Sequence, residues 1–476
     1  MSALEAKEAH AAGTATPDSR SQIDAAGKVE RDPFAEGEVD FRTVGWMKAS
    51  VFFTKMTFGI GVLSIPTSFY TLGLVAGIIF VLFWGILNTY MAYLMGKFKI
   101  KHPSFHALPD AIHIMATDWG YGPRTANIAM YLTEALYLLT WILAAGVSML
   151  GLTIALNAVS SHATCTVVFS VVSYIVITCI ASIRKISHLA WVTWVGFFSI
   201  VVAIMIIVIA VTIPDRPAAA PQTGPFELGF SAYPAAATTF TSAFSASLAI
   251  FSSSGNTPGY IPVLAEMRRP QDYNKALYVC MGWINAAYLA FSTVVFYYCG
   301  QWVASPALGS AGPTLKIIAY AIAIPGLIAG AATLTHIAAK SLFVRILRDS
   351  RHLTSDTKTH WVVWLSCTFL VGFIGWLLAE AIPFFGQLIS LIGSLCFGPI
   401  SIMAPALMWF SLNPGAFKGA MKKKLGAGLH ALFFLIGAFV TVAGTYAVIV
   451  DIIDAFNNGK VGGAFSCKDN SNTVAN

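Results

Sequence analysis

Charge is the scarcest commodity in this sequence. Only 11% of its 476 residues are Asp, Glu, Lys or Arg, against 57% hydrophobic, and the mean hydropathy is +0.71. A soluble core has no use for so much apolar surface, so a chain solvated by lipid is expected. The seven cysteines show no CxxC and no metal-ligand spacing, so neither a metal nor a cofactor is expected. Six of them (Cys165, Cys179, Cys280, Cys299, Cys367, Cys396) lie in or at the ends of apolar segments and read as small buried side chains. HExxH, paired acids and a serine beside a base are all missing, which disfavours a membrane enzyme and leaves no catalytic residue to name. The N-x-[ST] acceptor pattern does not occur. Residues 1–40 have no apolar h-region, so no secretory signal peptide is expected. Residues 1–46 are rich in Ala, Gly and acids and read as a disordered tail.

What the sequence does have is long apolar runs. A spanning helix needs about 20 such residues. Eleven segments qualify, at 47–69, 73–96, 125–157, 163–183, 187–213, 236–265, 276–299, 314–340, 360–380, 383–410 and 427–451. Lys and Arg alternate between their connections. One set holds the N-tail, "KFKIKH", "RK" at 184–185, "RRPQDYNK", "RILRDSRHLTSDTK" and "KGAMKKK"; the other holds a single arginine, Arg216, in the Pro/Ala-rich loop 214–235. By the positive-inside rule the N-terminus and the basic loop 411–426 are cytoplasmic. An odd number of spans puts the tail 452–476 on the far side. The net charge of +7 thus follows topology, and no nucleic-acid partner is expected.

Two of these segments are built to come apart. "FTKMTFGIGVLSIP" in the first carries Gly59, Gly61 and Pro66, and "FSSSGNTPGYIP" in the sixth is equally hostile to a continuous helix. Main-chain groups freed in hydrocarbon cost several kcal/mol each unless re-paired, so two such breaks imply a polar, protein-lined cavity. The sixth segment starts five spans after the first, and five is odd. The second set of five, 236–410, therefore starts on the opposite side from the first, 47–213, giving an inverted repeat with span 11 appended. Interrupted segments at matching positions of two such halves point to a transporter's substrate site. The N–H groups of Ile60, Gly61 and Val62 are expected to hold a carboxylate at a helix N-terminus. Carbonyls around Phe58, Ile250, Phe251 and Ser252, with Ser254 beside them, offer acceptors to an ammonium group. Such a site suits an α-amino acid. Tyr137 and Trp141, at i and i+4 on span 3, are candidate pocket walls, although aromatics in a bundle often belong to its core.

The same residues resemble a known family. "GIGVLSIPTSFYTLGLVAG" is similar to the first-helix signature of the amino acid/auxin permease (AAAP) family, with its G-x-G-[IV]-L-x-[IL]-P run. "LPDAIHIMATDWGYGPR" resembles the family's cytoplasmic segment between helices 2 and 3. "IPVLAEMRRPQDYNKAL" matches the end of its broken sixth helix, and "ATLTHIAAKSLFVRIL" is similar to its helix 8. The resemblance covers about residues 43–450 and looks closest to fungal neutral amino acid permeases of the methyltryptophan-resistance type. It implies an all-α integral membrane fold of eleven helices, LeuT-like, with a five-plus-five inverted repeat and helices 1 and 6 unwound. It also implies secondary transport of neutral amino acids, and a plasma-membrane location with the vacuole as alternative. A monomer in the lipid bilayer is expected.

One position departs from the family. Sodium-coupled members tend to carry an Asn four residues before the first glycine of G-x-G; here that residue is Lys55. The sodium of such members would sit between helix 1 and hydroxyls that correspond to Thr333 and Thr335. An ammonium placed there would fill the cation site, and a lysine kept from water can release its proton. Sodium-independent, proton-coupled symport is the resulting expectation. The alternative for Lys55 is snorkelling, since it lies about 10 Å along the helix from Lys48. Glu134, deep in span 3, is the second candidate for proton transfer or for a counter-ion to Lys55, and His336 on span 8 is a third. Glu266 and Arg268 could form a gating pair at the mouth of span 6. An amino acid sensor on the same fold is the alternative reading of the whole chain.

Overall fold

The computed structural model describes residues 22–23, 29–30 and 44–471, apart from 104, 106, 184–185, 348–349, 351, 353–356 and 458–462. Most of the tail expected to be disordered lies outside the described residues; within it, Gln22–Ile23 (β1) pairs antiparallel with Val29–Glu30 (β2). From Trp46 onward the described chain is helical. Eight of its helices are long and apolar enough to cross a membrane.

The first helix, α1, runs Trp46–Thr57; a tight turn of 3₁₀ helix, Ile60–Ser64, leads into α2, Ile65–Lys101. Expected spans 1 and 2 are therefore not parted by a loop. The chain turns at Gly73, whose φ of 76° lies in the left-handed region glycine tolerates. A side chain there would also strike the Tyr233 main chain. The amides freed by this kink, of Leu74 and Val75, donate to the carbonyls of Ser231 and Ala232. The end of the 214–235 loop thus folds back to cap the bend.

Helix α3, Leu108–Asp118, precedes α4, Pro123–Ser160; α5 is Thr166–Ala181 and α6 is Ile186–Thr212. The second half begins with α7, Phe240–Ser254, and the short α8, Tyr260–Ala265. Then come α9, Tyr273–Cys299, α10, Pro313–Ile346, and α11, Lys358–Ala381. Expected span 10 is a composite: α12, Phe385–Leu391, a π-helical stretch Ile392–Met403 containing Pro399, and α13, Ala404–Leu412. The last apolar segment is α14, Met421–Phe439, a π turn, and α15, Thr445–Asn457.

Packing divides these helices into two groups. Helix α2 lies against α7 and α9, and α9 against α1; separately, α10 lies along α4 and α6, and α11 along α4. Close approach within the second group is set by glycines. Gly196 of α6 meets Gly326 and Ala329 of α10, and Gly146 of α4 meets Gly375 of α11.

One expectation about the cysteines is overturned. Cys165 is not a buried free thiol but is disulfide-bonded to Cys467 of the C-terminal tail. The tail folds back over the ends of four helices: Lys468 O accepts from Thr166, Asn470 from Asn157, Ser471 O from Lys316, and Phe465 meets Trp376. Apolar neighbours in sequence said nothing of a partner 302 residues away. Cys280, Cys299, Cys367 and Cys396 are buried as expected, whereas Cys179 is exposed.

Candidate functional site

Both interruptions are built from the residue types that favour them. Helix α1 stops at Thr57; Phe58 and Gly59 leave helical geometry, with Gly59 at φ −121° and ψ −143°. The serine run in α7 does not break that helix, which continues to Ser254; Ser253 Oγ bonds back to Ala249 O and Ser254 Oγ to Phe251 O. The break falls at Gly255–Asn256 instead, just where Pro258 has no N–H to give the Ser254 carbonyl.

The two breaks touch. Ser253 Oγ donates to Gly61 O at 3.0 Å. A Cβ on Gly61 would stand 2.9 Å from Ser253 Cα, so glycine is required for this approach. Several freed carbonyls are served by side chains of neighbouring segments. Asn256 Nδ2 donates to Met56 O at 3.1 Å, Ser401 Oγ to Gly255 O at 2.7 Å, and Asn88 Nδ2 to Phe251 O at 3.4 Å and Ser254 Oγ at 2.8 Å. The Tyr288 hydroxyl, on α9, lies 2.9 Å from Ser253 O and 3.2 Å from Thr57 O. Thr57 Oγ1 is hydrogen-bonded to Tyr260 Oη. The turn starting at Ile60 has no side-chain cap among the described residues, so its leading amides, of Ile60, Gly61 and Val62, retain the donor character of a helix N-terminus.

The acceptors are thus displaced from those expected. Ile250 and Phe251 are buried within α7, and Ser252 O accepts from Gly255 N. The carbonyls that converge are those of Thr57 and Ser253. Phe58 contributes its ring, edge-on to Trp283 and stacked on Tyr288. Asn88, Asn256, Tyr288 and Ser401 were missed by the sequence reading. The two asparagines carried a signal, as amides inside apolar segments; Tyr288 is one aromatic among many.

Other candidates lie elsewhere. Trp141 is buried with Ile142, Ala338 and Val371 between α4, α10 and α11, and Tyr137 meets it edge-on at 5.3 Å. That pair packs the second helix group, and Tyr137 also borders the main core. Glu134 pairs with Arg345 at 2.8 Å, both about a third exposed, and not with Lys55. Helix α4, at 38 residues, is about 57 Å long against about 30 Å of hydrocarbon, so it is longer than that layer is thick. Lys55 Nζ bonds Thr193 Oγ1 at 2.8 Å and lies 4.2 Å from the centre of the Trp194 ring. Among the described residues no hydrogen bond joins it to Thr333 or Thr335. Thr333 Oγ1 bonds back to Ala329 O, whereas the buried Thr335 Oγ1 has no partner there. His336 is buried, Nδ1 on Ala181 O and ring against Trp364.

Glu266 and Arg268 are not ion-paired to each other among the described residues. Their main chains instead clip Val44, with Val44 N to Glu266 O at 3.1 Å and Arg268 N to Val44 O at 2.9 Å. The start of α1 is thereby joined to the end of α8. A cavity of about 440 Å³, lined by Phe105, Asp110, His113, Ile114, Asn127, Met130 and Tyr131, lies between α3 and the start of α4, away from both breaks. It brings no main-chain poles together, so the breaks define the candidate site.

Two helices broken side by side in a bundle of membrane-length helices define a class, the membrane transporters. The fold resembles that of a nucleobase-cation-symport-1 family transporter solved in a closed conformation with bromovinylhydantoin bound, at a TM-score of 0.50 and 13% identity over 92% of this chain and 98% of that one. The chain belongs to the transmembrane amino acid transporter protein family, which matches residues 42–450. It is 42% identical to a transmembrane transporter of Gibberella moniliformis, over 92% of this chain and 90% of the relative. It is also 31% identical to the N amino acid transport system protein of Neurospora crassa, over 93% and 92%.

Proposed function

We propose that this protein carries neutral amino acids across a membrane by alternating access, coupled to protons and independent of sodium. One observation carries the reading: donors at Ile60–Val62 and acceptors at Thr57 and Ser253 lie at two adjoining helix breaks. An α-carboxylate fits the first and an α-ammonium the second. The side chains that bond to the breaks, of Asn88, Ser253, Asn256, Tyr260, Tyr288 and Ser401, are all uncharged, which favours a substrate with an uncharged side chain. The two helix groups supply the bodies that would rock about the site, with α1 and α8 moving together through the Val44 clip.

Taking the Gly73 kink as a boundary and each interrupted pair as one span gives eleven spans in the five-plus-five inverted arrangement. The Cys165–Cys467 disulfide belongs in an oxidising compartment. That favours a non-cytoplasmic C-tail and a cytoplasmic N-terminus, in the plasma membrane or, as the alternative, the vacuole. Lys55 places a fixed positive charge against α6, one helix away from Thr333, and this disfavours a sodium ion beside it.

Purified protein in liposomes tests the reading. Labelled neutral amino acids should enter when the outside is made acid, and an inward sodium gradient should add nothing. Uptake driven by sodium and indifferent to pH would refute the coupling. Binding without any flux would favour a sensor.

A further inference from the structure

We propose that Tyr288 is a positioning residue whose hydroxyl stands where the substrate's ammonium group will sit. The inference rests on the amino acid site proposed above and adds to it a residue from α9. Its oxygen is 2.9 Å from Ser253 O and 3.2 Å from Thr57 O, so two carbonyls from the ends of two different half-helices converge on one hydroxyl.

Neither carbonyl keeps its helical donor. The amide of Thr257, which would serve Ser253 O, turns to Gly255 O at 2.8 Å, and Thr57 O takes only the short-range Gly59 amide. Both sit at helix C-terminal ends, where the peptide dipoles gather negative charge. A phenol has one proton to share between two acceptors, whereas an ammonium has three and carries charge. The arrangement is thus suited to a cation and occupied by a neutral stand-in. Tyr288 is fully buried and stacked on Phe58, which holds the phenol where it reaches both carbonyls. Substrate binding exchanges the shared neutral donor for the charged one.

The exchange makes the hydroxyl a competitor of the ligand, and that fixes the sign of the test. Tyr288→Phe removes the competitor, leaving Ser253 O without its phenol donor and Thr57 O with the Gly59 amide alone. Dissociation constants for L-leucine, L-phenylalanine and the other neutral amino acids, measured on purified protein by calorimetry, should fall about two- to tenfold, the range of one ordinary hydrogen bond. The deaminated analogue of the tightest binder should gain nothing. Fluorotyrosine incorporated at position 288 keeps the shape and donates more strongly, so it should weaken amino acid binding; it also covers the case of a Phe variant that fails to fold. Unchanged or weaker binding by Tyr288→Phe, equal gains for the deaminated analogue, or tighter binding with fluorotyrosine would each overturn the inference while leaving the site itself standing. If the unaltered protein binds no amino acid, the proposed function fails and takes this inference with it.

Discussion

Gly61 and Ser253 are the point at which the two interrupted helices meet. The Ser253 hydroxyl donates to the Gly61 carbonyl at 3.0 Å, and no side chain on Gly61 could be admitted without moving the α7 main chain. Gly59, two residues earlier, has nothing within 4 Å of where its Cβ would be. The glycines of one motif therefore have different jobs.

Gly61→Ala should cost about 1–3 kcal/mol through overpacking and displace the turn that presents the Ile60–Val62 amides. Gly59→Ala should be much milder. Thermal unfolding in detergent, together with amino acid binding, checks both; equal effects of the two substitutions would contradict the contact described.

Glu134→Gln should leave coupling intact. The Glu134–Arg345 pair is about a third exposed at one end of α4, and a pair of that kind contributes about 0–1 kcal/mol. The pH dependence of uptake should match that of the unaltered protein. Loss of proton-driven accumulation in this variant would restore Glu134 as a proton carrier.

Lys55→Gln removes the only charge that α1 presents to Thr193 and Trp194. Under the proposed coupling it should lower proton-driven accumulation at least tenfold while substrate still binds. Accumulation unchanged under the same imposed gradient would reduce Lys55 to a packing residue.

Reduction of the Cys165–Cys467 bond, or Cys165→Ser, should destabilise by about 2–4 kcal/mol, with the usual dependence on the state of the unfolded chain. Among the described residues the tail touches α4, α5, α10 and α11 but neither break, so binding affinity should change little. Melting curves with and without reductant measure the first effect and ligand titration the second.

Much of the fold was legible because hydropathy and Gly/Pro punctuation act locally. The lipid-length runs and both breaks stand in the sequence, since Gly59 and Gly255 favour a helix poorly and Pro258 lacks the N–H a helix needs, whatever surrounds them. What failed depended on neighbours far along the chain. Glu134 stands as a lone acid in an apolar run, and its partner Arg345 lies 211 positions later. Tyr137 and Trp141 face α10 and α11, a choice that periodicity leaves open. The Thr57 and Ser253 carbonyls lie one or two residues from those expected, because α7 runs on through its serines to Ser254.

The central claim is that the main-chain poles at the two breaks hold both charged ends of one amino acid. Calorimetric titration of the purified protein with a neutral amino acid, its deaminated acid and its decarboxylated amine tests this most directly. Each end lost removes charge-assisted hydrogen bonds of about 1.5–3 kcal/mol, so both analogues should bind about 10- to 150-fold more weakly than the parent. An analogue lacking either end that binds as tightly as the amino acid would contradict the account.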